Sequence, residues 1–142
     1  MELRMTVLIR LIVVSAILVG LVAPVPGPAQ AAGPFDGTRP FFCAVSTIME
    51  CDAMGQCERH NTNRQNQITF VRIDVAGQVV TAGGGRKSPV KMVSHVDGEL
   101  ILQGGENGRG WSATVDEDSG RMAAAVVDND VTFSLFGSCT LP

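Results

Sequence analysis

From residue 41 to residue 137 the chain is a succession of short apolar or alternating runs, each ended by turn residues. This rhythm limits the possible folds more than any other feature. The runs are FFCAVSTIME (41–50), ITFVRIDV (68–75), QVVTA (78–82), PVKMVSHV (89–96), ELILQ (99–103), WSATVD (111–116), RMAAAVV (121–127) and VTFSLFG (131–137). CDAMGQC, Ala76-Gly77, GGGRKS, Asp97-Gly98, GGENGRG, EDSG and Asp128-Asn129-Asp130 break them, and ERHNTNRQNQ (58–67) reads as a polar loop. Eight short strands at near-regular spacing, with no long helical period, predict an all-β sandwich or small barrel. The short connections favour antiparallel neighbours in meander order. Asp97-Gly98 is the strongest hairpin signal among them.

Alternation assigns faces. Trp111, Ala113 and Val115 share one side of their run and Ser112, Thr114 and Asp116 the other; Val131, Phe133 and Leu135 turn inward, and Cys139 keeps their parity. The same count puts Cys43, Val45, Met49 and Cys51 on one face of the first run. It also puts His95 on the solvent side, opposite in facing to Val90, Met92 and Val96. ITFVRIDV and RMAAAVV alternate poorly and give no clear facing.

Residues 1–31 stand apart from this pattern. Arg4 and Arg10 precede the uncharged run LIVVSAILVGLV (11–22), and PVPGPAQA ends on the small-x-small triplet Ala29-Gln30-Ala31. That order reads as a cleaved secretory signal; the apolar run falls short of the roughly 20 residues a spanning helix needs. The expected organisation is therefore a signal over 1–31, an extended lead-in over 32–40 and one β domain over 41–142. The expected location is the periplasm or the outside of the cell, with membrane contact only through the signal. Past residue 31 the chain carries nine Lys and Arg against thirteen Asp and Glu. The basic residues are scattered and aromatics are few, so a nucleic-acid partner has no electrostatic footprint.

All four cysteines, Cys43, Cys51, Cys57 and Cys139, follow the signal. An even count in a small exported domain reads as two disulfides, with three possible connectivities. If 41–50 is extended, Cys43 and Cys51 lie about 26 Å apart, far beyond the roughly 7 Å a bridge allows between Cα atoms. Cys57 lies across the DAMGQ turn from Cys51. The expected pairs are therefore Cys51–Cys57, clamping a turn, and Cys43–Cys139, tying the first strand to the last. The rival reading is a metal site, C-x5-C-x2-H ending at His60. Its spacing is not the usual C-x2-4-C, and no second His/Cys pair follows.

Other motifs carry less. GGGRKS lacks the G-x4-G-K-[ST] spacing and precedes a strand rather than a helix, so it is no phosphate loop. DEDSG (116–120) begins like a calcium loop, but Val127 stands where the closing glutamate is required. No G-x-S-x-G or H-E-x-x-H occurs, and two bridges would leave no thiol nucleophile. Glu50 and Asp74 are in strands, but nothing in the sequence shows whether they converge. The two histidines read as solvated, with nothing to pair them. NGRGW (107–111) joins a tight turn, an arginine and the only tryptophan on a loop held by two strands, where binding residues often lie.

The stretches ECDAMGQC, DGELILQGGENGRGW, SGRM…VVD and the terminal FGSCT together resemble small exported bacterial proteins of uncharacterised function, over most of residues 41–140. The resemblance implies no activity. In gross form the domain is also similar to small periplasmic barrels that inhibit lysozymes or proteases, a likeness of architecture alone. The reading that follows is a non-enzymatic exported binding module, inhibitor-like or envelope-associated, that uses no cofactor or metal. It would engage a protein, glycan or small molecule through Arg86, Lys87, Asn107, Arg109 and Trp111 at one barrel end. The alternatives are a small barrel hydrolase or isomerase using inward carboxylates, and a passive envelope component.

Overall fold

The computed structural model describes residues 33–60 and 69–142. The expected signal (1–31) and residues 61–67 of the expected polar loop lie outside the described residues. Among the described residues nine strands form: β1 (Phe41–Asp52), β2 (Cys57–His60), β3 (Phe70–Asp74), β4 (Val79–Ala82), β5 (Lys87–Val96), β6 (Glu99–Glu106), β7 (Arg109–Asp116), β8 (Arg121–Asp128) and β9 (Val131–Thr140). From β3 to β9 each strand pairs antiparallel with the next, and β9 returns to lie along β1. The result is a closed barrel of eight antiparallel strands in meander order, with β2 as an extra strand.

The extra strand corrects the sequence reading, which gave residues 58–60 to a loop. β1 is twelve residues long and β3 only five. β3 covers Phe41–Ala44 on one edge of β1, and β2 covers Ile48–Cys51 farther along the same edge. An uncovered half-edge would leave a row of unpaired backbone groups. The Cys51–Cys57 hairpin folds back to satisfy them.

Both disulfides form as expected, and each joins residues directly opposite one another. Cys43 faces Cys139 across β1–β9 with Cα atoms 3.8 Å apart, and Cys51 faces Cys57 across β1–β2 at 4.1 Å. One bridge closes the barrel seam and the other clamps a turn. Disulfides persist in oxidising compartments. No helix of the described residues is long and apolar enough to cross a membrane.

Two bulges overturn the facings read by strict alternation. In β1 the register with β9 slips between Val45 and Thr47, with the Ser46 hydroxyl donating to the Phe136 carbonyl at 3.1 Å. An extra residue reverses every later side chain. Ile48 and Glu50 therefore lie opposite Leu135 and Phe133 on the core side, while Met49 and Cys51 share the other face rather than that of Cys43 and Val45. In β5 the slip lies between Val90 and Met92. Met92 and Val96, expected inside, are each 48% exposed, and His95 comes opposite Leu100.

The core is tightest toward one mouth. Phe41, Cys43, Ile73, Leu100 and Val115 at this end, and Leu102 at mid-barrel, have at most 1% of their surface exposed. Residues 33–40 run across this end. The Phe35 N–H donates to the Glu117 carbonyl at 3.0 Å, and the Phe35 ring packs edge-on against Phe41 with centroids 5.7 Å apart. That edge-to-face arrangement suits the quadrupoles of two aromatic rings. Phe35 is the plug of this mouth.

Candidate functional site

The opposite mouth is open. Inward positions on β6 and β7 run Leu102, Gly104, Glu106 and Arg109, Trp111, Ala113, paired directly across the ladder. β8 continues these levels with Ala124, Val126 and Asp128, and β9 with Leu135 and Phe133. Ala113 faces Ala124, so two adjacent strands put small side chains at mid-barrel, where larger ones would have filled the space. A cavity of ≈ 130 Å³ results, walled by Val71, Val80, Leu102, Met122, Val126 and Trp111 among others, with Arg86, Glu106 and Arg109 at its rim. A void of comparable size in an apolar core accepts a molecule such as benzene.

Trp111 is held in this wall by two local features. Its indole N–H donates to the Ser88 hydroxyl at 2.8 Å, satisfying the one polar atom of a half-buried ring. Gly104 lies directly opposite, and a Cβ there would overlap the Pro89 carbonyl oxygen and the Trp111 ring. The glycine is the seat of the tryptophan. At the rim, Arg109 reaches across to β8, with Nε 2.7 Å and Nη2 2.6 Å from the same oxygen, Oδ2 of Asp128. Asn107 and Gly108 both have positive φ in the two-residue turn that ends β6, the geometry that matches the twist of a hairpin.

No family model, curated protein or solved structure matches the chain.

Of the five residues singled out from sequence, Arg86, Arg109 and Trp111 meet around this cavity. Asn107 is exposed at the turn beside it. Lys87 is exposed and pairs with Thr81 one position away from the inward Val80–Ser88 pair, so it points to the outer face. Sequence reasoning missed Ser88 and Glu106, and the alanines that make the room. Parity counted outward from Trp111 would have found Arg109 and, through the Asn-Gly turn, Glu106.

Both histidines have carboxylate partners, contrary to the solvated reading. His60 Nε2 is 2.8 Å from Glu50 Oε2 at the β1–β2 hairpin. His95 Nδ1 is 2.6 Å from Glu117 Oε1 at the plugged mouth. No group of three or more His, Cys, Asp or Glu side chains among the described residues is arranged to hold a metal ion.

The aspartates of the loops hold turns. Asp52 Oδ1 accepts the N–H groups of Met54 and Gln56, each at 2.9 Å, and Asp74 Oδ1 that of Gly77 at 2.8 Å. Asp36 accepts the Thr38 hydroxyl at 2.7 Å and its N–H at 2.9 Å; Asp116 accepts the Ser119 N–H at 2.6 Å. These donors favour the ionised form. The Thr38 hydroxyl first, then its N–H, hold the Asp36 carboxyl below its ordinary value of 3.8, and the Ser119 N–H does the same for Asp116. A carboxylate whose folded pKa is depressed stabilises the fold above the unfolded value and loses that contribution as pH falls through the folded value. Carboxyl carbon shifts followed by NMR should therefore give both residues midpoints below 3.8. Thr38→Val should move the Asp36 midpoint upward and leave that of Asp116 in place.

Proposed function

We propose that this protein is an exported, non-enzymatic binding module that takes a small ligand into the open half of its barrel. The observation that carries the reading is an apolar cavity, plugged at one end and rimmed by charge at the other. Concave sites with apolar walls and a few polar groups are the usual form of small-molecule pockets. The two disulfides suit work in the periplasm or outside the cell, where they would keep a small barrel folded without maintenance. The resemblance to small exported bacterial proteins points the same way.

The enzymatic alternative requires carboxylates converging inside the barrel. Among the described residues lining the cavity Glu106 is the one carboxylate, and nearby Asp128 is engaged by Arg109. This arrangement supports binding over hydrolysis by a paired acid and base.

The chain has one tryptophan and no tyrosine, so emission excited at long wavelength reports on the cavity wall alone. Titration of the oxidised domain with toluene or cyclohexanol should shift Trp111 emission saturably and raise the melting temperature, since a ligand of the native state stabilises it. Ala124→Leu, which fills the cavity from β8, should abolish both responses while the barrel still folds. Indifference of the wild-type protein to both probes at millimolar concentration would remove the pocket reading.

A further inference from the structure

The rim of the cavity carries more information than its volume. Arg86 and Glu106 both line it. Neither has an ion-pair partner among the described residues, whereas Arg109 beside them is matched by Asp128. Arg86 and Glu106 do not pair with each other, since an ion pair would bring nitrogen and oxygen within 4.0 Å. Among the described residues the mouth therefore presents one unmatched cation, Arg86 in the loop that leads into β5, and one unmatched anion, Glu106 at the end of β6, above one apolar pocket.

A third group adds direction. The Ser88 oxygen already accepts the Trp111 N–H, so its own proton is left to donate, and no acceptor for it occurs among the described residues. A hydroxyl has one donor and two acceptor positions. Ser88 lines the same cavity two residues from Arg86. Two donors thus face an incoming acceptor on the β5 side, and an acceptor faces an incoming donor on the β6 side.

From this arrangement we infer that the ligand is a small zwitterion with an apolar side chain, an α-amino acid of the size of leucine or phenylalanine. The side chain enters the cavity beside Trp111. The carboxylate meets Arg86 and the Ser88 hydroxyl, and the ammonium group meets Glu106. A ligand with a carboxylate alone would leave Glu106 unmatched and close to its own charge, and a simple amine would do the same to Arg86. A charge that a ligand covers and leaves without a partner counts against that ligand. The cavity also limits size: ≈ 130 Å³ admits one side chain and excludes a long acyl tail. The inference rests on the pocket reading above.

Four probes sharing one ring separate the possibilities: phenylalanine, phenylpropanoate, phenethylamine and toluene, each titrated into the oxidised full domain by calorimetry and Trp111 emission. Phenylalanine should bind tightest. Arg86→Gln should weaken phenylalanine and phenylpropanoate by about two- to fivefold, the range for a charged contact at a solvent-exposed rim, and leave phenethylamine unchanged or improved. Glu106→Gln should do the reverse, weakening phenylalanine and phenethylamine. Because both residues are at the rim, neither variant should alter folding, and melting curves without ligand provide the check. Equal affinity for toluene and phenylalanine, or phenylpropanoate binding as tightly as phenylalanine, would overturn the zwitterion and leave the apolar pocket standing. Binding of none of the four would overturn both.

Discussion

Replacing Cys43 and Cys139 together by alanine is expected to cost the domain about 4.7 kcal/mol, the chain-entropy value for a loop of roughly 100 residues. These two cysteines are 96 positions apart in sequence and directly opposite in space, on the strands that close the barrel. A small domain has only about 5–15 kcal/mol of stability in total. At roughly 4–8 °C per kcal/mol, the melting temperature should fall by about 20–40 °C. The Cys51–Cys57 bridge closes a far shorter loop, with a separation of 6, and replacing both cysteines should cost only about 2.4 kcal/mol on the same relation. Thermal melts of the two double variants, followed by circular dichroism beside the wild type, give the comparison. Equal losses would mean that the seam bridge acts through native-state strain or packing and not through closure of the chain.

The second large effect is expected at Gly104. A methyl group there meets the Pro89 carbonyl oxygen on one side and the Trp111 ring on the other. Both contacts lie under 3.0 Å, so the ring and the paired β5 backbone both have to give, and the hydrogen bond to Ser88 goes with them. Overpacking of a core costs about 1–3 kcal/mol and a hydrogen bond about 1, so Gly104→Ala should lose about 3 kcal/mol and shift Trp111 emission to the red. Gly110 provides the control on the neighbouring strand. A Cβ at that position meets nothing within 4 Å, and Gly110→Ala should stay within about 0.5 kcal/mol of the wild type. A Gly104→Ala protein with native emission and native stability would show that the glycine does not seat the tryptophan.

Much of the fold was legible because antiparallel hairpins are local. The Asp97-Gly98 and Asn107-Gly108 turns both occur where the residue types demand positive φ, and the strands on either side follow from alternation. The inward facing of Trp111, Ala113 and Val115, and of Val131, Phe133 and Leu135, agrees with the observed pairing. Alternation failed at the two bulges, Val45–Thr47 and Val90–Met92. A bulge has no composition of its own; it arises where two strands of fixed curvature must both be satisfied. β2 was missed for a related reason. CERH has no strand signature, and it pairs because β1 outruns β3 and leaves an edge uncovered.

The candidate site divides along the same line. NGRGW points to Arg109 and Trp111, and GGGRKS to Arg86, each as a separate loop in the sequence. Their meeting at one mouth depends on the up-and-down order, which returns β4–β5, β6–β7 and β8–β9 connections to the same end. Lys87 was placed with Arg86 by adjacency, and the period of two sends it to the opposite face. Glu106 is marked only by its parity with Trp111 across the Asn-Gly turn, and Ser88 has nothing in the sequence to mark it, since a serine in a strand is ordinary on either face.

By itself the sequence determined the class of fold, the order of the strands and both sulfur bridges, because turns, alternation and loop closure act over short stretches or on rare residues. Only the tertiary structure decided which side each bulged strand presents, that residues 33–40 plug one mouth, and that the other opens onto an apolar space. The cavity is a difference between the volume the backbone encloses and the volume that Ala113, Ala124 and their neighbours fill. No single stretch of chain carries that difference, because it is defined only once eight strands have closed around it.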